Sequence, residues 1–119
     1  MARNRWHMLH EDGAYILTRR LPAQFDVSAQ THLVGGSIRI LASQIRQDLW
    51  RGLKTLRGFS PVVRIEQCKG GLLVTAGGQV AQKRFARAEI ETQIATLLSD
   101  PAKRARWIRH SNRKGDRVA

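Results

Sequence analysis

A tryptophan stands among cations on the polar side of a predicted helix in the segment "IRQDLWRGLKTLRG", residues 45–58. When positions 38–57 are placed at 100° intervals around a helix axis, one narrow side, within roughly 80° of arc, collects a continuous row of four cations, one serine and one tryptophan. We call this row the basic ridge; it contains Arg39, Ser43, Arg46, Trp50, Lys54 and Arg57. Cations suit phosphates and a flat indole stacks on a base or sugar, so this mixture is typical of nucleic-acid surfaces.

Other interpretations of the ridge stay open at this point. Four cations in a row also describe an ordinary solvated helix face. Trp50 could lean toward Leu53 and cap the edge of the core while its N–H stays in water. Alternatively, the N-terminal arm or the terminal helix could pack over the indole.

Two further basic segments are candidate contacts. The C-terminal stretch "KRARWIRH" carries cations on both sides of a tryptophan: Lys103, Arg104, Arg106, Trp107 and Arg109. It could follow a phosphate backbone, or it could be a helix end whose cations complement the helix dipole. "QKRFAR" (82–87) adds Lys83, Arg84 and Arg87 at a strand-to-helix junction, which is either a phosphate site or a basic loop without a ligand.

The charge balance favours a polyanionic partner. The 119-residue chain has 21 Lys and Arg against 9 Asp and Glu, a net charge of +12. Such an excess attracts polyanions, of which nucleic acid is the commonest large one in a cell. A single cysteine, Cys68, cannot form an internal disulfide, and no apolar run reaches the roughly 20 residues of a membrane span. We therefore expect a cytoplasmic protein without membrane contact.

Residues that could support catalysis are few. "HMLHED" places His7 and His10 near Glu11 and Asp12, and a histidine pair at this spacing can share a helical face and hold a metal. The motif is too short to specify a metal site, and the chain lacks a Walker loop, nucleophile elbow, dinucleotide fingerprint or paired-cysteine motif. We predict a protein that is not an enzyme and has no metal or cofactor.

The spacing of apolar residues predicts one α+β domain over residues 1–119. We expect a polar arm at 1–12, a core at 13–98, and a basic C-terminal helix and tail at 99–119. The predicted strands cover 14–21, 60–68, 72–76 and 79–85, with turns at Gly70-Gly71 and Gly77-Gly78 and a connection at 22–36. The predicted helices cover 38–56 and 86–98, and Ser37 is the predicted N-cap of the first. The first helix has one apolar stripe that we expect to be buried: Ile38, Leu41, Ile45, Leu49, Leu53 and Leu56. Asp100 as a cap and Pro101 at the first helical position then predict either a kink or a separate terminal helix. This order, β-α-β-β-β-α-α, predicts two layers, with helices on one face of an antiparallel sheet of about four strands.

From Ser37 to Leu98 the predicted order of helix, three strands and helix is similar to that of double-stranded-RNA-binding domains. Lys83, Arg84 and Arg87 stand roughly where such domains contact phosphates. The first helix is longer than theirs, and a strand precedes it. The resemblance concerns the order of elements alone, and it implies RNA contact near the last helix.

Together these patterns favour a non-catalytic nucleic-acid-binding module, with RNA preferred over DNA because exposed aromatic rings suit unpaired bases. One alternative is an accessory or assembly subunit that docks on an acidic protein, with Trp50 and its arginines as a hot spot. Another is a small nuclease that uses His7, His10 or His32.

Overall fold

Strands and helices separate into two layers in a computed structural model, which describes residues 6–112. The elements are β1 His7–Glu11, β2 Ala14–Thr18, β3 Val27–Leu33, α1 Ile38–Gly52, β4 Phe59–Cys68, β5 Gly71–Val80, α2 Arg87–Leu98 and α3 Pro101–Ser111. The strands form one antiparallel sheet in the order β1-β2-β4-β5-β3. The predicted α+β class is confirmed. The sheet has five strands, and the observed order is β-β-β-α-β-β-α-α.

The core lies between the sheet and the helices and is centred on α1. The predicted apolar stripe of α1 is buried, with Leu41, Ile45 and Leu49 fully inaccessible. These side chains share one cluster with residues of β4 and β5 such as Val63 and Val74. The Ser37 side chain caps the helix by accepting a hydrogen bond from the backbone N–H of Ile40.

Helix α1 is shorter than predicted. It ends at Gly52, and the backbone N–H of its cap residue Leu53 bonds to the carbonyl of Leu49. The predicted helix continued to Leu56, because Leu53 and Leu56 keep the apolar spacing even though the chain has already left the helix. Of the helices in the described part of the chain, not one is long and apolar enough to span a membrane.

Two predictions about the N-terminal third were wrong, and each missed an edge strand. Residues 7–11, assigned to a polar arm, form β1, which pairs with β2. The connection predicted at 22–36 contains β3, which pairs with β5. Edge strands need few apolar residues because they have only one neighbour, and in β3 only Val27 and Leu33 are buried. The hydrophobic pattern was therefore too weak to reveal them.

The Gly77-Gly78 pair lies inside β5 and forms no turn. A side-chain Cβ at Gly77 would collide with the backbone carbonyl of Val27, and one at Gly78 with that of Ser60. These glycines allow the neighbouring strands to approach closely, which is the other common role of glycine in a sheet. The predicted strand at 79–85 is consequently not separate: β5 ends at Val80.

The predicted turn at Gly70-Gly71 is observed one residue earlier, at Lys69-Gly70, and Gly71 begins β5. Gly70 has a φ of +84°, and Cys68 pairs with Gly71 across the hairpin between β4 and β5. With only two strands between α1 and α2, the helix, three-strand, helix order that resembled a double-stranded-RNA-binding domain is absent from the described residues.

Helix α3 is a separate helix, which is one of the two alternatives that the sequence predicted, and it is anchored in the core. Asp100 caps it by accepting hydrogen bonds from the backbone N–H groups of Ala102 and Lys103. Trp107 is fully buried, and its indole N–H donates to the Asp48 carboxylate at 2.6 Å. Arg106 forms an ion pair with the same carboxylate. Asp48 thus joins α3 to α1.

We expect Asp48→Ala to lower the free energy of unfolding by roughly 2–3 kcal/mol, since it leaves the Trp107 N–H and the Arg106 cation without their acceptor. This loss of stability is smaller than the loss expected on breaking a fully buried ion pair, because the Arg106 side chain is 35% exposed to solvent. Urea unfolding measures it. The exposed acid Glu89 provides the control: because it lies in the first turn of α2, Glu89→Ala should cost at most about 1 kcal/mol through the helix dipole. Equal stability of the two variants would contradict the anchoring role.

Candidate nucleic-acid interface

Only the part of the basic ridge that lies on α1 keeps the predicted helical spacing. Arg39, Ser43, Arg46 and Trp50 lie on α1, whereas Lys54 and Arg57 follow it in the turns that lead to β4. The Trp50 side chain is 44% exposed, so the described residues do not cover it. An aromatic ring is therefore accessible among the cations.

Arg46 carries a charge without a carboxylate partner in the described part of the chain. Its guanidinium lies 4.7 Å from the centroid of the Trp6 ring, a cation–π contact that holds the side chain in place. Its Nε atom is buried and has no hydrogen-bond partner among residues 6–112. Burial lowers the pKa of Arg46, the expected direction for a cation partly removed from water. The Arg46 guanidinium is therefore partly buried, restrained by Trp6 and without a carboxylate to balance its charge among residues 6–112.

The edge strand β1 borders this side of α1. Met8 pairs with Leu17 and His10 with Tyr15, so both side chains project from the helix-covered face of the sheet. Trp6, which precedes β1, reaches Arg46. We define the β1–α1 surface by these side chains and their neighbours on the helix: Trp6, Met8, His10, Arg39, Arg46 and Trp50.

Sequence reasoning missed the contribution of β1 because it assigned these residues to an arm. One available signal was the aromatic and basic neighbourhood of Trp6 in "RNRWH", which matches that of Trp50. Met8 is 53% exposed, so two of the large exposed apolar side chains, Met8 and Trp50, belong to the β1–α1 surface.

The structure brings a second predicted basic group to the end of the ridge. The backbone N–H of Ala81 bonds to the carbonyl of Gly58 at 3.0 Å, and the Gln82 side chain donates to the carbonyl of Arg57 at 2.8 Å. Lys83 and Arg84 follow directly and are exposed. Arg87, at the start of α2, forms a 3.5 Å ion pair with Glu91, although its side chain is 68% exposed. These hydrogen bonds place residues 81 and 82, which directly precede Lys83, beside Arg57 and Gly58.

Three of the candidate contact residues in the C-terminal segment make contacts within the fold instead. The prediction that Trp107 contacts a ligand is wrong for this structure, because the ring is fully buried. Arg104 donates to the Thr31 hydroxyl and to the carbonyls of Leu98 and His32, so it ties α3 to β3. Arg106 pairs with Asp48, as described above.

The remaining cations of this segment differ in their exposure. Lys103 pairs with Asp100 at 3.3 Å, and Arg109 is exposed in the last turn of α3. The tail cations Arg113, Lys114 and Arg117 lie outside the described residues. Asp48 faces α3, and two helical positions (200°) separate it from Trp50, so α3 and the ridge lie on different sides of α1.

The histidine pair does not share a face as the metal hypothesis requires. His7 and His10 lie in a strand, where side chains three positions apart project to opposite sides of the sheet. His32 belongs to β3, at the other edge. Within residues 6–112 no group of three or more His, Cys, Asp or Glu side chains is placed to hold a metal.

Comparison of the chain with models of protein families, with curated proteins and with solved structures finds no match. The assignment of a candidate interface is therefore based on the geometry and charge of the described residues alone.

We expect Trp50 to account for most of the fluorescence that iodide quenches. Trp107 is buried and Trp6 is partly buried, whereas the Trp50 indole is exposed beside cations that attract iodide. Trp50→Phe should remove most of the quenchable emission, as measured by a Stern–Volmer titration. Trp6→Phe, the matched control, should remove less. If quenching in Trp50→Phe equals that of the parent, the indole is covered and the interface is wrongly placed.

Proposed function

We propose that this protein is a non-catalytic module that binds single-stranded nucleic acid, RNA in preference to DNA, on the β1–α1 surface. The observation that carries the proposal is the exposed Trp50 ring one helical turn from Arg46, whose charge lacks a carboxylate among residues 6–112. Trp50 is exposed and Arg46 is half-buried, and both lie on the same face of α1.

Arg46 is the central phosphate contact in this proposal. A planar guanidinium can donate two parallel hydrogen bonds to a phosphate, and stacking on Trp6 already restricts its side chain. A phosphate would also replace part of the hydration that Arg46 loses through burial. Lys54 and Arg57, both exposed, extend the positive field toward Lys83 and Arg84.

Trp50 supplies the preference for single strands. An exposed indole can stack on a base whose face is free, whereas the base faces in a duplex are already stacked on their neighbours. This stacking is sequence-tolerant, so the proposal includes no sequence specificity. The preference for RNA follows from the abundance of unpaired bases in RNA loops and ends.

We expect Trp50→Ala to weaken the binding of a 12-nucleotide single-stranded RNA by about 1–3 kcal/mol without unfolding the domain, because a stacking platform is removed from an exposed position. Fluorescence anisotropy with a labelled oligonucleotide measures the affinity, and circular dichroism checks the fold. Log affinity should fall with log salt by about 0.7 per phosphate contacted.

Two variants serve as controls for this measurement. Leu21→Ala removes an exposed apolar side chain outside the β1–α1 surface, and Lys69→Gln removes a cation at the hairpin between β4 and β5. Both should bind RNA nearly as the parent does. Equal losses in Trp50→Ala and in these controls would overturn the proposed site. A stoichiometric acidic protein that survives nuclease treatment, with no RNA affinity, would favour the docking-subunit alternative.

A further inference from the structure

A cavity of about 400 Å³ lies at one end of the β1–α1 surface, between the hairpin of β1 and β2 and the first turn of α1. Its volume is within the range of small-ligand sites. The side chains used in this argument are His10, Tyr15, Ile38, Arg39, Ile65 and Gln67. Ile38 and Ile65 make the wall partly apolar, and the other four bring polar groups to it.

The Tyr15 hydroxyl is a hydrogen-bond donor without an acceptor among the described residues. The hydroxyl oxygen is buried and has no hydrogen-bond partner among residues 6–112. The His10 ring packs edge-on against the Tyr15 ring, with 5.4 Å between ring centroids. Burial raises the pKa of Tyr15, and the positive charge of Arg39 opposes part of that rise. The hydroxyl therefore remains protonated at neutral pH and can donate.

The polar groups around this cavity are complementary to an anion. Arg39 contributes a permanent positive charge, and Gln67 and His10 add N–H donors. The eight residues that line the cavity include no carboxylate. A terminal phosphate carries nearly two negative charges at neutral pH, compared with one on an internal phosphodiester, so this arrangement favours the terminal group.

We propose that this cavity binds the terminal phosphomonoester of a single-stranded nucleic acid whose adjoining nucleotides lie along the basic ridge. This inference rests on the proposed function. Arg39 and Trp50 are eleven residues apart on α1, which places them about 16 Å apart along the helix axis. A strand that leaves the cavity can therefore follow α1 past Arg46 to Trp50.

Contact with the Tyr15 hydroxyl requires a side-chain movement. The hydroxyl is shielded from solvent in this conformation, and the neighbouring residues Arg39 and His10 are exposed. The proposal therefore includes a rearrangement of side chains around the cavity that brings the hydroxyl into contact with the incoming phosphate, the partner that it lacks.

The first test compares three oligouridine 12-mers that carry a 5′-phosphate, a 3′-phosphate or hydroxyls at both ends. We expect one phosphorylated form to bind about 10-fold more tightly than the hydroxyl form, and the better form identifies which end is bound. Tyr15→Phe and Arg39→Gln should each remove most of this difference. Lys54 is a member of the basic ridge but lies outside the cavity. Lys54→Gln should therefore weaken the binding of all three oligonucleotides and leave the difference between the phosphorylated and hydroxyl forms unchanged.

A second test separates failure of this inference from failure of the proposed function. Tyr15 is the only tyrosine in the chain, so 3-fluorotyrosine labelling gives a single ¹⁹F resonance at the cavity. We expect uridine 5′- or 3′-monophosphate, too short to reach Trp50, to shift this resonance saturably, whereas uridine should not.

The outcomes of the two tests are distinct. Equal binding of all three oligonucleotides, with no ¹⁹F shift, would overturn the terminal site and leave the proposed function standing. A phosphate preference that survives in both Tyr15→Phe and Arg39→Gln would overturn the assignment to this cavity. A saturable ¹⁹F shift with a monophosphate, without binding of any 12-mer, would locate a phosphate site in the cavity but overturn both the single-strand function and the assignment of a nucleic-acid terminus to this site.

Discussion

The acceptor role of Asp48 is the constraint on which the arrangement of the helices depends. It is the single acid in α1, and its carboxylate is 95% buried, where an isolated charge would be costly. Trp107 and Arg106 both donate to it, so the carboxylate is satisfied only when α3 packs against this side of α1. This interaction places one tryptophan in the core and leaves Trp50 on the other side of the helix, in contact with solvent.

The same packing divides the positive charge of the chain into two populations. Cations of α3 are largely used inside the structure: Arg104 bonds to backbone and side-chain oxygens, and Arg106 and Lys103 pair with carboxylates. No ion pair among residues 6–112 includes a cation of the basic ridge. The density of basic residues in the sequence is therefore a poor guide to where positive charge is available. A cation is available to an external anion only if the fold places no carboxylate or carbonyl oxygen beside it.

The success of each sequence-based prediction followed the physical strength of its signal. The α1 stripe, the Ser37 and Asp100 caps and the α+β class were predictable because they depend on local spacing and capping. Both edge strands were missed because one-sided pairing requires little apolar character, and Gly77-Gly78 was misread because close strand approach and a turn use the same residue type.

In the candidate site, too, features set by local spacing could be predicted, whereas features set by long-range contacts could not. The face of α1 that carries Trp50 was predictable from helix geometry alone, and the exposure of Trp50 was left open. The burial of Trp107 and the approach of Trp6 to Arg46 depend on contacts between residues distant in the chain, so no local pattern could supply them.

Ultraviolet crosslinking of a bound oligouridine, followed by tryptic peptide mapping, tests the central claim most directly. Trypsin cleaves after Arg46 and Arg51, so Trp50 lies in the short peptide that spans residues 47–51. The account predicts that this peptide is the principal RNA adduct, accompanied by the peptide that contains Trp6. Adducts confined to α3 or to β3, with residues 47–51 unmodified, would contradict it.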